Sequence, residues 1–114
     1  MSYYMYLDDI RNPTTDRDWN VVRSYREAVD MILEFGMPAY ISFDHDLGEA
    51  DALTGYDFAK WIVEQDMDGT FTISPFFKFN VHSANPVGAA NITSYLDSYM
   101  NRRARTYKHE GYQA

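Results

Sequence analysis

Ala39-Tyr40-Ile41-Ser42-Phe43-Asp44-His45-Asp46-Leu47-Gly48 is a short β-rich run that stops in two carboxylates, an imidazole and a glycine. Tyr40, Ile41 and Phe43 suit a strand covered on both faces, as in a parallel sheet, and Gly48 gives the chain a flexible exit. Asp44, His45 and Asp46 then stand at the carboxyl end of a buried strand, where open α/β sheets place their ligands. If the strand persists that far, alternation sends Asp44 and Asp46 to one side and His45 to the other. A lone Asp-His-Asp is an ordinary polar turn. Here a second acidic pair upstream and a second histidine downstream stand at similar strand ends.

Upstream, Tyr3 to Leu7 reads as a first strand running into Asp8-Asp9-Ile10-Arg11-Asn12-Pro13. Residues 13–20 are polar and turn-rich, with Trp19 placed to dock them on the domain. Ser24 with Glu27 forms a capping box for a helix whose buried face is Tyr25, Ala28, Val29, Ile32 and Leu33, and Gly36 and Pro38 stop it. Downstream, the acidic loop 48–53 leads to a second box, Thr54 with Asp57, and a helix striped with Phe58, Trp61 and Ile62. Pro75 denies residues 71–77 an uninterrupted central strand, so Lys78 to Val81 is the next strand, ending in His82-Ser83-Ala84-Asn85. Asn85 and Pro86 open a last helix that buries Ile92, Tyr95, Leu96, Tyr99 and Met100.

Strands alternating with helices across short connections predict an α/β fold: a parallel sheet with helices on both faces and no regular fifth strand. In that arrangement Asp8, Asp9, Asp44, His45, Asp46 and His82 converge along one edge of the sheet.

Composition narrows the functions. The 114 residues are enough for one domain, expected at 1–100, followed by a basic tail at 101–114. With no cysteine, disulfides, thiolate metal sites and a cysteine nucleophile are excluded. No apolar run approaches the ~20 residues that span a bilayer and no signal-peptide pattern opens the chain, so no membrane association and a cytoplasmic location are expected. The net charge of -7 argues against binding long nucleic acids through their backbone. Residues 1–100 carry six Lys and Arg against sixteen Asp and Glu, whereas residues 101–114 carry four against one. Arg102, Arg103, Arg105 and Lys108 are thus either a solvated tail or a grip for an anion or partner.

Crowded carboxylates repel, so a fold that gathers them supplies a cation or raises a pKa. Asp8, Asp9 and Asp44 offer oxygen ligands suited to Mg²⁺ or Mn²⁺, with Asp46 as a further acidic candidate. His82, beside Ser83 and Asn85 at a helix N-terminus, stands where a phosphate finds backbone N–H donors, and Arg11 offers a bidentate contact. His82 or His45 supplies acid–base chemistry near neutrality. Each residue also has a plainer role: Asp8 and Asp9 as turn formers, Asp46, Ser83 and Asn85 as caps, and His45 as a core group.

The motifs Leu7-Asp8-Asp9-Ile10-Arg11-Asn12-Pro13, Ser42-Phe43-Asp44-His45-Asp46-Leu47-Gly48, Thr54-Gly55-Tyr56-Asp57 and Val81-His82-Ser83-Ala84-Asn85-Pro86-Val87-Gly88 resemble those of the cyclic-phosphate-processing receiver-like domains, over about residues 4 to 100. That is a bacterial and phage family related to response-regulator receivers. The resemblance implies a flavodoxin-like fold and processing of cyclic phosphates in nucleotide signalling or RNA-end metabolism within conflict systems. It also implies that Asp8 and Asp9 match the Mg²⁺-binding pair, Asp44 the phospho-accepting and hence catalytic aspartate, and Ser83 the switch hydroxyl. Receivers carry a lysine at the end of a fifth strand. No such lysine stands here, and His45 and His82 are additions, so a conventional phosphorelay is not expected. Two functions follow as expectations: a metal-dependent phosphoesterase acting on a cyclic phosphate or nucleotide, or a non-catalytic protein that sequesters a nucleotide or engages a host protein through its acidic face.

Overall fold

The computed structural model describes residues 3–48 and 52–113, with side chains as far as residue 104. Its elements are β1 (Tyr4–Leu7), β2 (Trp19–Val22), α1 (Tyr25–Phe35), β3 (Tyr40–Phe43), α2 (Gly55–Asp68), β4 (Lys78–Val81) and α3 (Pro86–Gln113). The strands form one parallel sheet in the order β2-β1-β3-β4. This is the receiver-like α/β fold, with the strand order of flavodoxin-like sheets short of a fifth strand.

Helix boundaries lie where the caps place them. The Ser24 hydroxyl accepts the Glu27 N–H at 3.1 Å, and Glu27 Oε1 accepts the Arg23 N–H at 3.0 Å. Thr54 and Asp57 form the full reciprocal box. Gly36, at φ 85°, closes α1 with its N–H on the Ile32 carbonyl. Leu33, expected in the core, is 61% exposed, because only Ala28, Val29 and Ile32 of α1 reach the sheet as fully buried residues.

Two expectations change together. Trp19 and Asn20, expected as the end of a loop with a docking tryptophan, form β2 together with Val21 and Val22, an edge strand on β1 with Tyr4 opposite Trp19 and Leu7 opposite Val22. Helices do not cover both faces. The steps from β2 to β3 and from β3 to β4 run in the same direction across the sheet, so right-handed crossovers put α1 and α2 on one face, and α3 packs beside α2. The step from β1 to β2 runs the other way and its crossover, residues 8–18, passes over the opposite face without a helix.

The core therefore lies on the helical side alone. Met5, Leu7, Ile41 and Phe43 are fully buried against Phe58, Ile62, Ile92 and Leu96. Burial of each such large side chain is worth about 1.5–3 kcal/mol. A polar joint pins the far ends of α2 and α3. Tyr99 donates its hydroxyl to Asp66 Oδ2, Arg103 Nε lies 3.3 Å from the same oxygen, and the Ile73 N–H donates to Asp66 Oδ1 at 2.9 Å.

The backbone of α3 continues past residue 100, so the stretch expected as a basic tail begins as helix, and Arg103 is anchored to Asp66. The side chains of Arg105 and Lys108 lie outside the described residues, as do loop residues 49–51. No helix among the described residues is long and apolar enough to cross a membrane.

Candidate functional site

The register of the sheet assembles the site. Val22, Leu7, Phe43 and Val81 stand side by side across the four strands. Each is followed by a charged or ionisable residue, Arg23, Asp8, Asp44 and His82. The ladder runs one step further: Asp8 N–H donates to the Val22 carbonyl at 3.1 Å, Asp44 N–H to Leu7 at 2.9 Å, and His82 N–H to Phe43 at 2.9 Å. Residues far apart in the chain are thereby fixed as neighbours by backbone alone.

Asp8 is fully buried and both of its carboxylate oxygens have partners. Oδ1 accepts the N–H groups of Ile10 at 3.0 Å and Arg11 at 2.8 Å, and Oδ2 lies 2.9 Å from His82 Nε2. Burial pushes its pKa up, but the Arg11 and Ile10 N–H bonds and the His82 contact outweigh it, and the net shift is downward. Asp44 behaves in the opposite way. Burial raises its pKa, the Asp8 charge raises it further, and a 2.8 Å bond from the His45 N–H only partly compensates.

Asp8, Asp9 and Asp44 each present an oxygen, all within 4.8 Å of one another. An all-oxygen set carrying uncompensated negative charge fits a hard divalent cation, and this is the placement typical of a receiver metal site. A cavity of about 190 Å³ lies over them, lined also by Arg11, Asp46 and Ser83. Arg11 is half exposed, with Nε 3.8 Å from Asp8 Oδ2.

The remaining expected site residues divide. Asp46 lines the cavity outside the three-carboxylate cluster, its Oδ1 2.8 Å from His45 Nδ1. Strand β3 ends at Phe43, so alternation does not extend to His45, whose ring packs against the first turn of α3, where a Cβ on Gly88 would overlap it. Asn85 is a helix cap: its Oδ1 accepts the Gly88 N–H at 2.9 Å, and its own N–H donates to Ser83 Oγ at 3.0 Å. Arg11 and Ser83 thus reach the carboxylate cavity, while Asn85, His45 and His82 do not line it, and His82 lines a separate cavity on the open face of the sheet. The close fit continues at Gly55, whose N–H donates to the His45 carbonyl and where a Cβ would collide with the Asp44 carbonyl.

His82 is held from three sides. Its Nε2 meets Asp8, its Nδ1 lies 2.7 Å from Ser42 Oγ, and its ring stacks on Tyr6 at 4.4 Å between centroids and 3° between planes. With Asp8 ionised, Nε2 carries the donated proton, while Nδ1 accepts from the Ser42 hydroxyl in the neutral ring and donates to its oxygen in the protonated one.

Ser42, Tyr6 and Arg23 belong to the site although sequence reasoning did not select them. The signal for Ser42 is a polar residue inside a buried apolar strand. Arg23 follows a strand that was not recognised, and its guanidinium ties down the loop after β1, donating to the carbonyls of Asp8 and Arg11 and to Asn12 Oδ1.

In comparison with known families, the model described as the cyclic-phosphate processing receiver domain matches residues 3–98. Comparison with curated proteins and with solved structures gives no match.

Proposed function

The chain belongs to the cyclic-phosphate processing receiver domain family, and on that footing we propose that it acts on a cyclic phosphate or nucleotide as a metal-dependent phosphoesterase. The observation that carries this reading is the cluster of Asp8, Asp9 and Asp44 oxygens within 4.8 Å, beneath a cavity that Arg11 and Ser83 share. Those three carboxylates would hold Mg²⁺ or Mn²⁺, which supplies electrostatic neutralisation of the phosphoryl oxygens. Arg11 pairs with the phosphate, its exposed guanidinium being only loosely tied to Asp8. Ser83, whose oxygen already accepts from Asn85, has its hydroxyl proton left to donate to a phosphoryl oxygen. His82, bonded to Asp8 from outside the cavity lining, presents its Nε2 to that carboxylate and is the acid–base group in this reading.

Calorimetric titration with Mg²⁺ and Mn²⁺ should show binding to the wild-type chain that Asp44→Asn loses. A screen of cyclic mononucleotides, cyclic oligonucleotides and 2',3'-cyclic ends should identify a ligand that is turned over. His82→Gln keeps the size and polarity of the side chain but not its proton exchange, and it should lower turnover by roughly 10² or more with cation binding retained. Wild-type turnover in that variant removes His82 from the chemistry, and equal cation affinity in wild type and Asp44→Asn removes the metal site.

The second reading, sequestration of a nucleotide without turnover, is favoured by one observation. Both ring nitrogens of His82 are already engaged, by Asp8 and by Ser42. Unchanged ligand recovered on denaturation after incubation with Mg²⁺ would support it.

A further inference from the structure

The sheet face opposite the helices carries a second cavity, of about 250 Å³, walled by Tyr6, Trp19, Tyr40, Ser42, Asn80 and His82. Tyr6, Ser42 and Asn80, and Trp19 and Tyr40, reach it from two cross-strand rows. One is Val21, Tyr6, Ser42 and Asn80, and the other is Trp19, Tyr4, Tyr40 and Lys78. The aromatic part is preorganised: Tyr4 stacks on Tyr40 at 5.9 Å, and the Trp19 ring meets Tyr4, Tyr6 and Tyr40 edge-on at 5.6–5.9 Å. Thr15 Oγ1 accepts the indole N–H at 2.8 Å, which holds the tryptophan in place. Rigid aromatic walls select a flat ring, and stacking of this kind is worth about 1–3 kcal/mol for a nucleobase.

The polar groups narrow the ligand further. Asn80 is exposed in the wall and offers a donor and an acceptor side by side, the pair that meets the edge of a heterocycle. In a chain of net charge -7, no carboxylate is among the described residues lining this cavity, and Arg17 is there instead, its guanidinium 5.0 Å from the Tyr4 centroid and 5.6 Å from that of Tyr40. The lining therefore suits a flat ring, and among its described residues it carries nothing that repels an anionic ligand. Pockets for drug-sized ligands run to roughly 300–1,000 Å³, so this smaller cavity suits a single heterocycle. Among the described residues it shares no lining residue with the carboxylate cavity and is joined to it through one side-chain contact. His82 forms part of its wall while its Nε2 holds Asp8 on the side of the carboxylates.

We infer that this cavity is the base subsite for a nucleotide whose phosphate occupies the Asp8, Asp9 and Asp44 site, so that the substrate class is a nucleoside cyclic phosphate. The assignment rests on the phosphate reading of the carboxylate site, and the test separates the two. The chain has two tryptophans, so Trp61→Phe leaves Trp19 as its sole indole. In that background, adenosine, guanosine, cytidine and uridine, which carry no phosphate, are titrated against Trp19 emission, followed by their 2',3'-cyclic monophosphates with and without Mg²⁺. At least one nucleoside should quench Trp19. Tyr40→Ala and Asn80→Ala should each weaken it about tenfold, the equivalent of about 1.4 kcal/mol. Asp44→Asn should leave nucleoside affinity within about twofold and abolish the gain that Mg²⁺ gives the nucleotide.

Nucleoside quenching with no Mg²⁺-dependent gain for the nucleotide would retain the base cavity and sink its link to the carboxylates. Nucleotide binding detected by calorimetry with Trp19 unmoved would sink the base cavity and leave the phosphate site standing. Quenching unaltered in both Tyr40→Ala and Asn80→Ala overturns the inference. So does Trp19 emission that changes with protein concentration in place of ligand, because a second copy of the chain would then cover the face.

Discussion

On the helical face of the sheet, Met5, Leu7, Ile41 and Phe43 have 0% exposure beneath three helices, whereas on the other face Tyr4 and Tyr40 are half-buried against Trp19 and Arg17, and Asn80 is exposed. The same four strands build both surfaces. What separates them is the connection: crossovers through α1 and α2 seal one side, and the helix-free crossover 8–18 leaves the other open. A parallel sheet needs apolar cover to be stable, and here a single covered face supplies it. The second face is thereby released for rings and polar groups, and its strand-end residues lead directly into the carboxylate row. Burial on one side supports stability and exposure on the other supports recognition, at positions one residue apart.

The largest expected effect contrasts the two faces directly. Phe43→Ala empties a fully buried site against Phe58 and Phe79 and should cost about 3–5 kcal/mol in urea unfolding. Tyr40→Ala, on the open face of the same strand, should cost about 1 kcal/mol. Equal losses would show that the open face carries as much of the fold as the helical one.

A middle effect probes the carboxylate row between the faces. The Asp44 carboxyl, raised by burial and by Asp8, binds its proton more tightly folded than unfolded, so its charge weakens the fold above the raised pKa. That cost is relieved as pH falls through the raised value. Asp8 has the opposite sign: its support is present above the unfolded value of 3.8 and is lost as pH falls through the lower folded one. Without divalent cations at pH 7, Asp44→Asn should therefore raise the thermal midpoint, by about 4–8 °C per kcal/mol relieved. The gap to wild type should shrink as pH falls through the Asp44 range, and Mg²⁺ should raise only the wild-type midpoint. A variant less stable than wild type at pH 7 would mean that the charge is already compensated.

The smallest effect is confined to the helical face. Asp57→Ala removes half of the α2 capping box and should cost about 1 kcal/mol, with cation affinity unchanged. The Thr54 N–H bond leads the effects that hold the Asp57 pKa below 3.8, so the loss should be full above that pH and fade as pH falls through the depressed value. Unfolding curves at pH 7 and pH 2.5 check both halves.

Much of this was legible in the chain. β1 and β3 show as largely apolar runs that end in acids, β4 as an alternating Lys-Phe-Asn-Val ahead of a histidine, and α1 and α2 are marked by Ser24 and Thr54 with their acidic partners. Asp8, Asp44 and His82 could be grouped because each directly follows such a run. β2 was not legible: Trp19-Asn20-Val21-Val22 is four residues at a sheet edge behind a polar stretch, and local pattern does not distinguish it from a docked loop. Missing it hid the place of Arg23 and the direction of the first crossover, and so the open face. The link from His82 to Ser42 joins strands 40 residues apart and follows only from register. Asn85 illustrates the converse, since a cap and a phosphate ligand look alike in sequence until Gly88 is seen to use its oxygen.

The 74-residue separation between Asp8 and His82 also bears on how the chain is born. β1 sits between β2 and β3, so its inner edge stays unpaired until residues 40–43 leave the ribosome, and β3 then waits for residues 78–81. Parallel pairings of such span form slowly, because loop-closure entropy is lost before the contacts return it. At translation rates of about 5–20 residues per second, several seconds pass with bare strand edges on display, the interval in which chaperones or misassembly compete for them. The carboxylates and the imidazole meet only after that interval closes, so the site cannot form before β4 has joined the sheet.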